Sequence, residues 1–339
     1  MAVGPFSVLS EPLGADVPTA APRASTEEPA SEVGTKELSA ADWTCIAVSI
    51  ALAVAGLRVL RRWTAGGGPR LERRADAATA AAGLVTGLLA FGLLFPLLTQ
   101  LLAGLFMTQF GVTQAEIFFS SFVAQAVAAG VIIGLGAALP GAVQWSPTAA
   151  PEGAPSAPDT ARGALSILRK RDAFRAYLGV CALATLGSLG WKGLHSLWAW
   201  AHTSGWLGAP PEDMLQEIVD IVMRTEVVTA KFGLLTLAVA VGAPLMEELV
   251  FRGTLYPALK SLLSWLPPRG NVAVSAAATG LLFGAAHLTP SAFIPLTLFG
   301  AFLCLVRDRH GLATAIAVHA FFNAMNLFWL KVAPDVANL

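Results

Sequence analysis

From Trp43 to Leu330 the chain is a succession of apolar runs separated by short polar breaks, and some of the later runs carry carboxylates, an arginine, histidines and amides inside them. A stretch of roughly 20 apolar residues is long enough to cross a bilayer as a helix. Eight runs qualify as candidate spans: Trp43–Leu60, Ala77–Leu105, Ile117–Leu139, Phe174–Ala201, Phe232–Pro257, Val272–Leu288, Phe293–Val306 and Leu312–Leu330. The expected fold is all-α: a polytopic transmembrane helix bundle of about eight spans behind a disordered N-terminal tail. Composition agrees. Charged residues make up 13% of the 339 and hydrophobic residues 55%, whereas a soluble domain averages about 25% charged. Lys and Arg number 22 and so do Asp and Glu, so no net basic field attracts phosphates and no nucleic-acid partner is expected.

Polar segments divide the chain. Residues 1–42 are rich in Pro, Ala, Ser, Thr and Glu and contain too little apolar surface to fold, which predicts disorder. Residues 43–143 hold three spans. Residues 144–173 form a Pro- and Ala-rich linker ending in Arg169, Lys170 and Arg171. Residues 174–230 hold a span and a connection in which Met214, Ile218, Ile221 and Val222 alternate with acids, the pattern of an amphipathic surface helix. Residues 231–330 hold the last four spans. The linkers after spans one, three, five and seven carry 13 of the 22 basic residues, including Lys260 and Arg307, against five on the other side. That asymmetry predicts cytoplasmic odd-numbered linkers and outward termini. Trp191, Trp198, Trp200 and Trp206 read as an interfacial belt, with His195 and His202 inside it. Cys45, Cys181 and Cys304 sit in apolar runs without a pairing pattern and read as small buried residues.

The fifth span contains Glu247, Glu248 and Arg252. Each such group costs roughly 2.5–3.5 kcal/mol at mid-membrane, so the three must face protein or a water-filled cavity. Glu248 and Arg252 are four residues apart and share a helix face. Glu247 is rotated about 100° from that pair and is free to act as a base. Pro244, just upstream, removes a helical hydrogen bond and can open the helix around the carboxylates. Span six ends at His287, with Gly280 and Gly284 spaced for close helix approach. Span eight carries His319, Asn323 and Asn326 as one polar stripe. A carboxylate and an imidazole can activate water; a second imidazole and an amide NH2 can donate to an oxyanion. These are the parts of an acyl-transfer site for peptide hydrolysis. No GxSxG or HExxH is present, so serine and ordinary zincin chemistries have no support.

In order and spacing, Glu247-Glu248-x-x-x-Arg252, Phe283-x-x-x-His287 and His319-x-x-x-Asn323 resemble the three motifs of the CPBP intramembrane proteases. That family groups type II CAAX prenyl endopeptidases with bacteriocin-processing and immunity proteins. The resemblance covers about residues 230–327. It implies that Glu247 and His287 activate the attacking water, that His319 and Asn323 hold the oxyanion, and that Glu248 and Arg252 support them. It implies a membrane-associated protein or peptide substrate, cut near its C-terminus and CAAX-like in type, in contact with membrane lipid. It further implies a multi-pass protein of a bacterial plasma membrane. No cofactor is required on the glutamate mechanism; zinc held by Glu247, His287 and His319 is the metalloprotease alternative. A non-proteolytic immunity or scaffold protein on the same fold is the competing function, and a proton-relay transporter a third. These assignments leave spans one to three without a role. Expected depths conflict at one place: Glu247 falls near the inner end of span five and His287 near the outer end of span six, roughly 15 Å apart. They meet only if helix five runs on toward Trp265.

Overall fold

The computed structural model describes residues 38–65, 77–110, 114–139, 141–145, 169–210, 217–227 and 229–334. Most of the N-terminal tail and of the basic linker lie outside the described residues. Nine helical elements follow in order: α1 Ala40–Ala65, α2 at 77–110, α3 Gln114–Ala138, α4 Lys170–Thr203, α5 Glu217–Arg224, α6 Ala230–Leu262, α7 Pro268–Ala285, α8 Pro290–His310 and α9 Leu312–Val332. Among the described residues there is no strand. The structure is a polytopic helical bundle.

Seven of the nine elements are long and apolar enough to cross a membrane. They coincide with seven of the eight expected spans. The sixth expected span is α7, with only 18 residues, among them Arg269, Asn271, Ser275 and Thr279. The last three of these are buried, and Asn271 and Thr279 donate to backbone carbonyls, so the polar face of α7 is screened by protein. Gly280 and Gly284 permit this: Cβ atoms there would collide with backbone or side-chain atoms of Thr297, Ala301 and Phe293 on α8. The two helices therefore meet backbone to backbone.

The chain entering α1 is fixed by a capping box. Ser39 Oγ accepts from the Asp42 N–H at 3.2 Å, and Asp42 accepts from the Ser39 N–H at 2.9 Å. The helix thus begins three residues before Trp43. The amphipathic segment forms α5, whose Val222 is buried against Phe118, Leu235 and Leu327. Met214 lies outside the described residues. Lys331 donates to the Met223 and Thr225 carbonyls, tying the end of α9 to the open carbonyl end of α5.

Helix α6 is the centre of the bundle. It runs 33 residues without a break, which brings Glu247 to mid-helix and removes the depth conflict with His287. Its residues Leu249–Leu255 are all buried. Within it, Ala238–Gly242 and Leu249–Leu255 are π-helical, as is Ala90–Leu94 in α2. Each π segment ends two residues before a proline, Pro244, Pro257 and Pro96. A proline ring clashes with the carbonyl four residues earlier and offers that carbonyl no N–H. Widening the preceding turn moves the carbonyl aside and keeps the helix continuous. The opening expected at Pro244 takes this form.

Lys260 and Arg307, counted from sequence among the loop cations, are not in loops. Both are buried around Asp308. Arg307 Nη1 and Lys260 Nζ donate to its carboxylate at 2.8 and 2.9 Å, and Tyr256 Oη at 2.7 Å. Arg307 also reaches Gln144 Oε1 at 2.9 Å. The cluster joins α6, α8 and the segment after α3. A carboxylate one residue after an arginine near the end of a helix looks like an ordinary loop pair in sequence, which is why it escaped that reading. With these two removed, 11 of the original 13 bases remain on the odd-linker side, so the predicted asymmetry persists.

Candidate functional site

The site grows from the two faces of α6. Glu248 is fully buried and its Oε1 accepts from Arg252 Nη1 at 2.8 Å, one helical turn on. The pairing expected from spacing is present, and it is embedded further. Arg252 Nη2 donates to the Gly300 carbonyl on α8 at 2.8 Å. Its guanidinium lies 4.6 Å from the centre of the Phe283 ring on α7. Gly300 has no side chain to obstruct that approach: a Cβ there would come within 3.2 Å of Nη2.

The same Glu248 oxygen also accepts from His319 Nδ1 on α9, at 2.8 Å. No spacing rule connects residues 71 apart, so this contact could not be foreseen from the chain. It turns the ring so that Nε2 faces Glu247, 3.9 Å from Oε2. Phe299 and Phe283 pack edge-on against the imidazole, with centroids 4.9 and 5.9 Å away. His319 is thus held by one glutamate and presented to the other.

Glu247 lies on the other side of the helix and lines a cavity of about 320 Å³. His287, His319, Asn323 and Asn326 line the same cavity, while Glu248 and Arg252 do not. His287 follows the C-terminus of α7, in a turn where Leu288 adopts φ 53°, a left-handed conformation unusual for a bulky side chain. His287 Nδ1 lies 2.8 Å from the Phe283 carbonyl. A carbonyl only accepts, so Nδ1 carries the proton and Nε2 keeps its lone pair. Asn323 Nδ2 donates to the Val239 carbonyl at 2.9 Å. That carbonyl belongs to the first π turn, and the bond leaves the second amide hydrogen free of it.

The remaining wall is apolar, with Phe95, Phe118, Val222, Leu235 and Leu330 among its residues. Two polar side chains that sequence reading passed over, Ser121 and Gln125, come from α3. They are spaced four residues apart in an apolar helix, the signal that would have found them. His195 and His202 are elsewhere: His195 packs near Trp191 and His202 Nδ1 lies 3.0 Å from the Leu207 carbonyl. Among the described residues, no three His, Cys, Asp or Glu side chains are placed to hold a metal ion.

Residues 229–325 match the family of Rce1-like type II CAAX prenyl endopeptidases. The match spans α6 to α9 and less than a third of the chain. No curated protein and no solved structure gives a significant match. The Rce1-like region supports intramembrane endopeptidase activity in general. Together with the seven long apolar helices it makes this a multi-pass membrane protein, whose surroundings are lipid.

Proposed function

We propose that this chain is an intramembrane endopeptidase that cuts a membrane-associated protein near its C-terminus by glutamate-activated water. The supporting observation is the division of labour around α6. Glu247 faces a cavity with His287, His319 and Asn323, while Glu248 faces away and holds both Arg252 and His319.

In this reading Glu247 takes a proton from water as the oxygen attacks the scissile carbonyl. His287 Nε2, with its lone pair free, accepts a hydrogen bond from the same water and orients it. The carbonyl oxygen gains negative charge in the transition state. His319 Nε2 and the second hydrogen of the Asn323 amide donate to it. That role needs a proton on His319 Nε2 while Nδ1 donates to Glu248. Glu247 then delivers its proton to the departing amine. Arg252 pairs with Glu248 and fixes it in place, so its effect on the reaction passes through His319. The apolar wall suits a lipid-modified or otherwise apolar segment, and the family description makes a prenylated CAAX terminus the first substrate to try.

The test uses purified protein in lipid nanodiscs and a peptide with a prenylated CAAX end, bearing a fluorophore and quencher on either side of the cleavage region. Cleavage by the wild type, abolished in Glu247→Gln with unchanged expression and helicity, is the expected result. Full activity in Glu247→Gln would overturn the mechanism, and no cleavage by the wild type would remove this substrate class.

A further inference from the structure

Helix α3 lies outside the Rce1-like match, yet it supplies Gln125 to the cavity that holds Glu247. Gln125 is 6% exposed, and its Oε1 is buried without a hydrogen-bond partner. An amide oxygen that merely packs between helices would be expected to find an N–H or O–H donor, because an unmet acceptor in a low-dielectric interior is costly. Here it lies against Gly242, the last residue of the first π turn. A Cβ at Gly242 would occupy the position of Oε1. The missing side chain at 242 is what gives the amide its place. Ser121, one turn earlier on α3, lines the same cavity.

We propose that Gln125 is a positioning residue for the substrate backbone, accepting a peptide N–H through Oε1; this rests on the endopeptidase reading above. Where the substrate segment enters as a helix, a peptide bond reaches Glu247 by local unwinding. Unwinding inside a membrane strips backbone N–H and C=O groups of their partners. A side-chain amide has one carbonyl and one NH2, the complement of a peptide unit. Gln125 replaces one of the bonds that unwinding removes. The cavity wall built by the N-terminal helices is thereby part of substrate recognition, and the region matched by the family is not sufficient for it.

Binding is measured in the Glu247→Gln background of the full chain in nanodiscs. The probe is a fluorescent peptide with a prenylated CAAX end, together with analogues in which single backbone amides near the expected cut are replaced by esters. An ester has no N–H to offer. Gln125→Met should weaken binding of the all-amide peptide by about tenfold, the worth of one hydrogen bond. One ester analogue should bind the Gln125 form about tenfold more weakly and lose nothing further in Gln125→Met. Gly242→Ala, which pushes the amide aside without removing it, should copy Gln125→Met and serves if that variant folds poorly. Equal binding with and without Gln125, an equal loss for every analogue, or no binding to the Gln125 form would each overturn the proposal. If the pattern holds while Glu247-intact protein cleaves nothing, the endopeptidase reading fails and the backbone contact stands.

Discussion

Adjacent carboxylates on a helix point about 100° apart, and in this chain that angle separates Glu247, which faces a cavity, from Glu248, which faces a buried arginine and a histidine. The Glu248–Arg252 contact was legible from spacing because helical geometry alone brings residues four apart together. The Glu248–His319 contact was not, because it depends on how α9 docks against α6. Removing one partner of a buried pair leaves an uncompensated charge, a loss of about 3–5 kcal/mol. Arg252→Ala should therefore reduce folded yield sharply, as read by size-exclusion chromatography in detergent. The double change Glu248→Gln with Arg252→Gln should recover yield while activity stays low, because His319 has lost the carboxylate that anchors it. Normal yield of Arg252→Ala would show that the pair carries no such burden. Asn323 offers a second test at this scale. Asn323→Asp keeps the size and places a carboxylate beside a developing oxyanion, so the cleavage rate should fall at least about 10²-fold. The wild type should keep its rate after chelator treatment; loss of activity that zinc restores would reverse the assignment of Glu247 and His287.

Helices α6 and α7 show where sequence pattern ends and tertiary context begins. Pro244 and Pro257 announce that α6 is irregular, since neither can donate to the carbonyl one turn back. That the irregularity becomes a widened turn, with the helix continuing for 33 residues, is decided by the neighbours that bury it on most sides. The length of α6 could not be read from hydropathy, because Lys260 looks like the end of a span until Asp308 is seen beside it. Helix α7 shows the opposite case. Its 18 residues and its polar content make it a poor lone span, and its place in the bundle depends on α8. Gly280→Val should be felt at once, since even a Cβ meets the Thr297 carbonyl and Ala301. Overpacking of this kind costs about 1–3 kcal/mol. The thermal midpoint in detergent should drop accordingly, and Ala301→Gly should not rescue it, because the Thr297 backbone still obstructs. An unchanged midpoint would mean that α7 and α8 separate easily.

For the whole molecule, fold class and number of apolar segments were readable, because a chain with 13% charged residues has few ways to satisfy its backbone other than as helices in lipid. The composition of the cavity was less so. Its carboxylate, histidines and Asn323 stand out in the sequence, while its apolar wall is drawn from helices whose residues look like any others facing lipid. Orientation rests on the basic residues that remain in connecting segments. In a background lacking Cys45, Cys181 and Cys304, Ser204→Cys after α4 should react with an impermeant probe on intact cells. Arg269→Cys in the first turn of α7 should react only after permeabilisation. The reverse pattern would turn the molecule over.

The π turn at Ala238–Gly242 can also be read as a matter of insertion and deletion. A π turn holds one residue more than an α turn needs, so α6 carries a surplus residue upstream of Glu247. Deleting Val241, with Pro244→Ala to remove the ring that the wide turn accommodates, should give a regular helix of ordinary propensity. One α turn would then replace the wider one, and the two halves of α6 would keep nearly their present rotation, with the carbonyls of that turn bonded back into the helix. Glu247 would still face the cavity, but the Val239 carbonyl would turn back into the helix and away from Asn323. Such a protein should insert and fold with normal helicity by circular dichroism and cleave nothing, and an active deletion variant would show that the surplus residue is dispensable. On this view the extra residue in α6 is as much a part of the site as any side chain in it, because it frees a carbonyl for Asn323.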